Sequence, residues 1–192
     1  MKRALSILAI VLAPIASAHS QSYLKVNAAS TLLGVPGVGY ERTLSEHWSF
    51  QFDATVSPWR SVGGAPLKFA ILIPEWRYHP RGVTRGVYVG AHAGASVFQL
   101  QKWDHRNTTQ YEEGFGLLLG LTFGYQRPLN ESWLLDLFAG GGTSQALYKG
   151  YDWTTGTRTD GAKGWNKSGE WVPYRGGVMF SRRFGRTGHH ED

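Results

Sequence analysis

The sequence predicts an all-β fold: an eight-stranded antiparallel up-and-down transmembrane β-barrel that follows a cleaved signal peptide. Three observations predict this fold: a secretory leader at the N-terminus, eight later segments in which apolar and polar residues alternate, and connections that alternate between short turns and longer polar loops. Alternation with a period of two gives a strand one apolar face and one polar face. Short turns at one end and longer loops at the other are typical of outer-membrane barrels.

Residues 1–18 are predicted to form a secretory signal peptide. Lys2 and Arg3 make a short basic start, residues 4–15 are mostly apolar, and Ala-Ser-Ala at 16–18 gives a cleavage site of small residues. The apolar run is too short to cross about 30 Å of hydrocarbon as a helix, which disfavours a retained anchor. The mature chain is expected to begin at His19, and loss of the leader lowers the formal net charge from +6 to +4.

Composition excludes several classes of protein and site. The chain has no Cys, which excludes disulfides and thiolate metal sites. Its basic residues are scattered among loops rather than gathered on a helix, so nucleic-acid binding is not expected. The glycine-rich stretches precede no predicted helix and lack the phosphate-loop pattern, and the His- and acid-containing end of the chain suits a solvated tail. No cofactor and no metal site are therefore expected.

The barrel is predicted over residues 19–184, and the alternation divides it into strands. In HWSFQFDATVSPW, residues 47–59, Phe52 and Asp53 fall on opposite faces, with the apolar face predicted to meet lipid. No window has a convincing helical period, so no helix is predicted. The predicted strands are residues 23–29, 35–43, 48–58, 67–78, 86–101, 111–126, 133–147 and 171–184.

The connections assign the two ends of the barrel. Residues 45–46, 79–85 and 127–132 form short turns, and an even number of strands places both termini on that side, the periplasmic side. Residues 149–170 are predicted to be the main surface loop. Its basic residues suit anionic lipopolysaccharide headgroups; they are Lys149, Arg158, Lys163 and Lys167.

Aromatic residues gather beside the short turns. Rings that are apolar with a polar tip are stable at the depth of lipid headgroups, so these residues are predicted to lie at the membrane interface. They are Tyr40, Trp48, Trp76, Tyr78, Tyr125 and Trp133. A second girdle is predicted at the other end, from Trp59, Trp103, Tyr111, Tyr148 and Trp171.

The polar parity of the strands is predicted to fill the lumen. Eight strands enclose little more space than their own side chains need, and a buried charge requires a partner. A packed plug of paired charges is therefore favoured over a channel. The predicted lumen charge network is Lys25, Glu41, Asp53, Glu75, Arg77, Asp136, Arg175 and Arg183.

Several stretches resemble a family of small outer-membrane barrels, domain of unknown function 3575 (DUF3575). They include GVGYERTLSEHWSFQFD from Gly37, IPEWRYHP from Ile73 and GYQRPLNESWLLD from Gly124, and the resemblance runs from residue 24 to about residue 152. It implies an OmpA-like transmembrane domain, which in some members is joined to a periplasmic cell-wall-binding module. Only a polar tail, residues 185–192, follows the last predicted strand, so no such module is expected. The family supplies no catalytic residues.

The expected function is that of an outer-membrane barrel with a structural, anchoring or surface-interaction role and no catalysis. The expected partners are outer-membrane lipid, lipopolysaccharide and, during biogenesis, the barrel-assembly machinery, with the chain itself a monomer. Tyr174, Val178, Phe180 and Phe184 lie on one apolar parity of the last strand, which suits recognition by that machinery, although Arg182 interrupts it.

Two other functions remain open from the sequence. One is a lipid-modifying enzyme, an acyl hydrolase or transferase, in which His92 and Ser96 would act with Glu112 or Glu113. No nucleophile elbow supports that set, and His92 is predicted to point inward at mid-membrane. The other is a soluble periplasmic lipocalin-like ligand carrier, which would need both parities to be apolar on several strands and would leave the aromatic girdles unexplained.

Overall fold

The computed structural model describes residues 21–102, 105–160 and 164–184. The predicted signal peptide, His19, Trp103, Lys163 and the tail at 185–192 lie outside the described residues.

The described chain folds into one closed antiparallel barrel in which each strand pairs with its neighbours in sequence. The first and last strands close the ring, from Ser22 opposite Phe184 to Asn27 opposite Met179. This ladder covers residues 179–184 of β8, so within the described chain the earlier part of β8 has no strand partner on its β1 side. The eight-stranded all-β prediction is confirmed. The strands are β1 Ser22–Asn27, β2 Gly37–Thr43, β3 Trp48–Arg60, β4 Pro66–Tyr78, β5 Gly86–Leu100, β6 Gln110–Pro128, β7 Trp133–Asp152 and β8 Asn166–Phe184.

One short helix, α1 (Ala28–Leu32), lies between β1 and β2, where no helix was predicted. Asn27 caps it, because its side-chain oxygen accepts a hydrogen bond from the Ser30 backbone N–H at 3.2 Å. A helix of five residues is too short to impose a 3.6-residue period on the sequence, which explains why the pattern gave no sign of it.

The last hairpin is longer than predicted. β7 continues to Asp152 and β8 begins at Asn166, so Tyr148 pairs with Asn166 and Leu147 with Lys167. Much of the predicted loop at 149–170 is therefore strand, and the connection itself spans residues 153–165. Backbone hydrogen bonds hold the ladder in this extension, and they form with any side chains. The extension therefore needs no regular apolar alternation, and the sequence pattern did not reveal it.

A β-bulge interrupts the pairing of β7 with β8. Gly140 lies opposite Arg175 and Gly142 opposite Val172, so Gly141 faces the two residues Pro173 and Tyr174. A bulge of this kind shifts the parity of the strand by one residue. Tyr174 consequently points into the barrel, whereas the sequence pattern placed it with Val178 and Phe180 on the outer face.

The alternation sorts the side chains into a polar interior and an apolar exterior. Charged residues on β1 to β4 and β7 are buried inside, while Leu117, Leu119 and Phe123 on β6 are more than half exposed outside. The barrel has two halves along its axis. The short-turn half lies near the turns at 44–47, 79–85 and 129–132, and the long-loop half lies at the opposite end.

Candidate functional site

A charged plug fills the short-turn half of the interior. The Lys25 ammonium contacts Asp136 Oδ2 at 2.5 Å and also pairs with Glu41. The Arg77 guanidinium reaches Asp136 at 2.8 Å, Glu75 at 3.1 Å and Glu41 at 3.4 Å. All five side chains are 0% exposed. One continuous network of charges therefore crosses the barrel from β1 and β2 to β4 and β7.

A second ion-pair group joins the plug near the middle of the barrel. Arg175 on β8 pairs with Asp53 on β3, and its guanidinium lies 2.8 Å from Glu75. Glu75 is thus shared between Arg77 and Arg175 and links the two groups. The charged plug is defined here as Lys25, Glu41, Asp53, Glu75, Arg77, Asp136 and Arg175.

Neutral polar side chains complete the plug. Gln126 donates to Glu41 at 2.8 Å and to Asp136 at 3.1 Å, and the Tyr88 hydroxyl donates to the second oxygen of Asp136 at 2.9 Å. The Tyr88 ring also lies under the Arg77 guanidinium, 4.4 Å from ring centroid to Cζ. These contacts satisfy lone pairs and donors that would otherwise be costly to bury.

Seven of the eight predicted network residues thus meet in the interior, and Arg183 is the exception. It lies half-buried at the short-turn mouth, where it lines a cavity of about 750 Å³ together with Tyr23. Arg183 is the penultimate residue of β8, one step from the barrel rim, and the plug residues lie further in. Parity predicts on which face a side chain lies but not how deep it reaches.

A neutral polar layer crosses the barrel above the plug. His92 contacts Thr122 Oγ1 through Nδ1 at 3.0 Å and Tyr174 Oη through Nε2 at 2.6 Å. Both ring nitrogens are therefore engaged by hydroxyl groups. Ser96, which the sequence pattern offered as a partner of His92, lines a cavity higher up the barrel instead.

The long-loop half of the interior is apolar and incompletely filled, which corrects the prediction of a barrel packed with polar side chains throughout. Two adjoining cavities of about 250 and 280 Å³ share Phe69, Ile71 and Tyr174. This apolar chamber is defined by Phe69, Ile71, Phe98, Leu118, Phe138 and Tyr174. Its lower end meets the Arg175–Asp53 pair.

Charged side chains stand at the rim of the chamber. The Lys102 ammonium lies 3.2 Å from Glu112, 3.5 Å from Glu170 and 4.8 Å from the centroid of the Tyr148 ring. Burial lowers the pKa of Lys102, but the carboxylates of Glu112 and Glu170 outweigh it and raise that pKa above its ordinary value. The rim thus holds a cation between two acids.

The six predicted interface aromatics all lie on the exterior at the short-turn end, between 38% and 54% exposed. Trp48 and Tyr78 contact each other across β3 and β4, with ring centroids 5.1 Å apart. Tyr40 lies 6.0 Å from the ring of Phe184, across β1 from its own strand. The predicted aromatic residues therefore share one end of the exterior, and some of them contact aromatic rings on neighbouring strands.

The second predicted girdle is only partly present. Trp171 is exposed on the exterior to 83%, and Tyr111 stacks beside Tyr151. Trp59 is also exposed, but it shares the inward parity of Asp53 on β3 and its indole N–H donates to the Gly34 carbonyl. Tyr148 was assigned wrongly: it shares the inward parity of Asp136 on β7 and lies under Lys102 at the chamber rim. The assignment was wrong because the predicted strand ended at residue 147, whereas β7 continues to Asp152 and carries Tyr148 on its inward face.

Two of the basic residues of the last hairpin are engaged within the chain. The Lys149 ammonium lies 4.5 Å from the ring centroid of Trp165, and Arg158 Nε contacts Asp160 Oδ1 at 2.5 Å. The described residues include no cluster of metal-ligating side chains. No helix within residues 21–102, 105–160 and 164–184 is long and apolar enough to cross a membrane.

Sequence reasoning missed the apolar chamber, although a signal was present. On β4, Phe69, Ile71 and Ile73 share the parity of Glu75 and Arg77, so they had to point inward with them. The inward parity thus changes from apolar to charged along a single strand, which indicates an interior with two different halves.

Comparison with protein families gave one match. The model of the family described as "Protein of unknown function (DUF3575)" matches residues 5–173. The chain belongs to this family. The match reaches further in both directions than the resemblance seen in the sequence, and it takes in β1 to β7 of this DUF3575 chain with the first part of β8. Comparison with the curated proteins and with the solved structures gave no match.

Proposed function

We propose that this DUF3575 chain is an outer-membrane β-barrel protein with a structural, anchoring or surface-interaction role and no catalytic activity. One observation carries the proposal: the distribution of polarity is the reverse of that in a water-soluble barrel. The plug residues Lys25, Glu41 and Arg77 are fully buried, whereas the exterior presents apolar side chains on every strand. An apolar surface of this extent is not stable in water and needs lipid or a partner to cover it.

The dimensions of the strands support a membrane environment. β3 and β4 each contain 13 residues, and about nine residues of a tilted strand cover an apolar band of roughly 25 Å. The aromatic belt at the short-turn end lies where such a band would meet headgroups. The short-turn end then faces the periplasm and the long-loop end faces outward.

The interior supports a role without conduction or catalysis. The plug would have to lose several ion pairs to admit a continuous column of water, and each lone buried charge would be costly. His92 has no free ring nitrogen with which to activate a serine, since Thr122 and Tyr174 engage both. Anchoring or surface interaction therefore fits the geometry better than transport or acyl transfer.

The proposed partners follow from the placement of the barrel in the outer membrane with its long-loop end outward. The protein is a monomer whose exterior binds outer-membrane lipid, and its long-loop end meets lipopolysaccharide, with Lys167 exposed near the start of β8. Phe184 ends β8 on the exterior and suits recognition by the barrel-assembly machinery. Nucleic acid is not a partner, because the basic residues form no common surface.

Cell fractionation combined with a heat-modifiability gel tests the proposal. The mature protein should appear in the outer-membrane fraction and migrate differently with and without boiling, because a closed barrel resists detergent until it is heated. Recovery as a freely soluble protein with identical migration in both samples would contradict the membrane assignment.

A charge placed on the exterior tests the lipid-facing parity. Phe52 lies mid-strand on the outer face of β3, and Phe52→Arg should lower the free energy of unfolding by about 2–4 kcal/mol in lipid vesicles. Val62, fully exposed in the loop after β3, provides the control Val62→Arg, which should change it by less than about 0.5 kcal/mol. Equal effects of the two substitutions would show that Phe52 does not face lipid.

A further inference from the structure

The wall of the long-loop half has a gap in its strand pairing. β1 ends at Asn27 and pairs with β8 only as far as Met179, so residues 166–178 of β8 have no strand partner on that side within the described chain. β2 begins at Gly37, and residues 28–36 cross the space between β8 and β3 as α1 and the segment that follows it. The wall is therefore a full ladder at the short-turn end and a short helix further up.

The gap lies at the depth of the apolar band. Gly176, within the unpaired part of β8, lies opposite Ala139, six residues along β7 from the aromatic belt residue Trp133. At about 3.3 Å per residue and a tilt of about 40°, Gly176 is roughly 15 Å from the belt, within an apolar band of roughly 25 Å. In the proposed membrane placement, the gap therefore opens toward hydrocarbon.

The unpaired edge of β8 is covered without a strand. The Asn27 side-chain amide donates to the Gly176 carbonyl at 3.2 Å, which replaces a ladder hydrogen bond, and Pro173 has no N–H that would need an acceptor. α1 packs against β8. An open edge is not stable in hydrocarbon unless its backbone groups are satisfied or covered. The gap is therefore a stable feature of the wall.

A cavity of about 280 Å³ extends through the wall at this gap. Its outer lining includes Leu33, which is 83% exposed, and the exposed Gly176. Its inner lining includes the inward side chains of Ile71, Ile73 and Phe138. A cavity lined by both exterior and interior residues connects the two sides of the wall. This side cavity is the lower of the two cavities of the apolar chamber.

The lining of the side cavity suits a hydrocarbon chain. The charges at its floor, Arg175 and Asp53, pair with each other. Its mouth is formed by residues without charge, which are Ser30, Leu33, Val35 and Gly176. Apolar cavities exclude water and accept hydrocarbon, and an eight-stranded barrel has room for one small ligand. Side chains that line an empty cavity lose dispersion contacts, which a bound hydrocarbon chain would restore.

We propose that the side cavity holds one acyl chain of a membrane lipid, which enters sideways from the bilayer between α1 and β8 while its head group stays outside the barrel. The acyl chain lies beside Ile71 and Phe138. This inference rests on the proposed membrane placement and adds to it a lipid site within the barrel wall. The upper cavity of the chamber takes no part, so Ser96 and Ser144 stay accessible from the long-loop end.

Photolabelling from the bilayer tests the proposal. The refolded full mature chain is placed in phosphatidylcholine vesicles in which some of the lipid carries a diazirine at the end of one acyl chain. After illumination, fragment-ion spectra assign the adducts to single residues. Leu72, 46% exposed on the exterior of β4, should be labelled in any membrane-spanning barrel. The inward residues Ile71, Ile73 and Phe138 should be labelled as well, because the acyl chain reaches them through the gap.

Matched substitutions at one pair of facing residues locate the entrance. Gly176 and Ala139 lie opposite each other on the exterior, and Gly176 lines the mouth of the side cavity. A Cβ on Gly176 would lie 3.4 Å from the Phe138 carbonyl oxygen, an ordinary contact, so a side chain fits there. Gly176→Phe should lower the labelling of Ile71 about tenfold, because a ring at the mouth displaces roughly two methylene groups of the acyl chain. Ala139→Phe should keep the parental level, and neither variant should change the labelling of Leu72.

The outcomes separate the lipid site from the membrane placement. Labelling of Leu72 without labelling of the three inward residues would overturn the lipid site and leave the membrane placement intact. Absence of every adduct, Leu72 included, would overturn the membrane placement and the lipid site with it. Full inward labelling in Gly176→Phe would show that the acyl chain does not enter between α1 and β8. Heat modifiability shows whether each variant is folded, and Ser30→Phe, at the same mouth, replaces Gly176→Phe if the latter does not fold.

A free fatty acid with the same diazirine distinguishes a lipid-borne acyl chain from a free one. It is added at the same mole fraction to vesicles whose phosphatidylcholine carries no diazirine. The free acid should label Ile71 and Phe138 no more strongly than the diazirine lipid does. Inward labelling by the free acid alone would show that the side cavity takes a free carboxylic acid, which would contradict the proposal.

Discussion

Below the level of His92 the barrel interior is filled by charged side chains, whereas above it apolar side chains surround open space. Both halves are formed by the same strands, and on β4 the change from Phe69 to Arg77 occurs within one run of inward-facing residues. The plug can hold its charges because every one of them meets an opposite charge. The apolar side chains of the chamber need no such partners, and they leave open space between them.

The filled part and the open part of the interior are therefore separated along the barrel axis. The plug contains four carboxylates, Glu41, Asp53, Glu75 and Asp136, against three cations, and all of them are held in place by shared contacts. Small residues make this packing possible: a Cβ on Gly124 would overlap the Tyr88 ring. The chamber lacks this dense packing, so substitutions in the chamber should lower the free energy of unfolding less than substitutions in the plug.

The largest expected effect is the loss of a shared cation from the plug. Arg77→Met leaves Glu41, Glu75 and Asp136 short of a partner and should lower the free energy of unfolding by about 3–5 kcal/mol. Urea unfolding in lipid vesicles would measure it. Arg127→Met, at an exposed position near the end of β6, is the matched control and should cost less than about 0.5 kcal/mol. A similar small loss in both variants would mean that the plug does not hold the barrel together.

A smaller effect distinguishes the packing of the two halves. Gly90 faces the plug, where an added Cβ would overlap the Glu75 carboxylate, so Gly90→Leu should cost about 1–3 kcal/mol. Ala146→Leu, which extends into the chamber, should cost less than about 1 kcal/mol because there is space to accept it. The same unfolding measurement compares them, with Ala91→Leu on the exterior as a control. A chamber variant as damaging as the plug variant would show that the chamber is not open.

The smallest effect concerns the boundary between the halves. Tyr174→Phe removes the hydroxyl that contacts His92 at 2.6 Å and should cost about 0.5–1.5 kcal/mol, the usual worth of one hydrogen bond. His92 keeps its contact with Thr122, so the ring should stay in place. Unfolding of Tyr174→Phe alongside His92→Phe and the double variant would show whether the two side chains act together. Strictly additive losses would exclude a coupled layer.

The fold could be predicted from the sequence because the alternation is strong wherever one face is apolar. β3, β5 and β7 begin at Trp48, Gly86 and Trp133, as the pattern predicted. The predicted strand limits and side-chain directions were wrong where the apolar alternation ends. The far ends of β7 and β8 pair through backbone groups, and the bulge opposite Gly141 moves Tyr174 to the interior.

The candidate site was only half predictable for a related reason. Parity states which face of the sheet a side chain occupies, and this was enough to bring Lys25, Arg77 and Asp136 together. It does not state how much volume the inward side chains leave unfilled. The chamber depends on that volume, which emerges only when the strands are closed into a ring of definite width.

Labelling of single cysteines tests the contrast between plug and chamber most directly. The chain has no native Cys, so Ser→Cys changes at inward positions add one reporter each. Ser49 and Ser181 are fully buried in the short-turn half, and Ser96 and Ser144 line the chamber. In the refolded protein, a small water-soluble thiol reagent should label Ser96→Cys and Ser144→Cys, while Ser49→Cys and Ser181→Cys should remain unlabelled until the barrel is unfolded. Equal labelling at all four positions would contradict a barrel that is sealed in one half and open in the other.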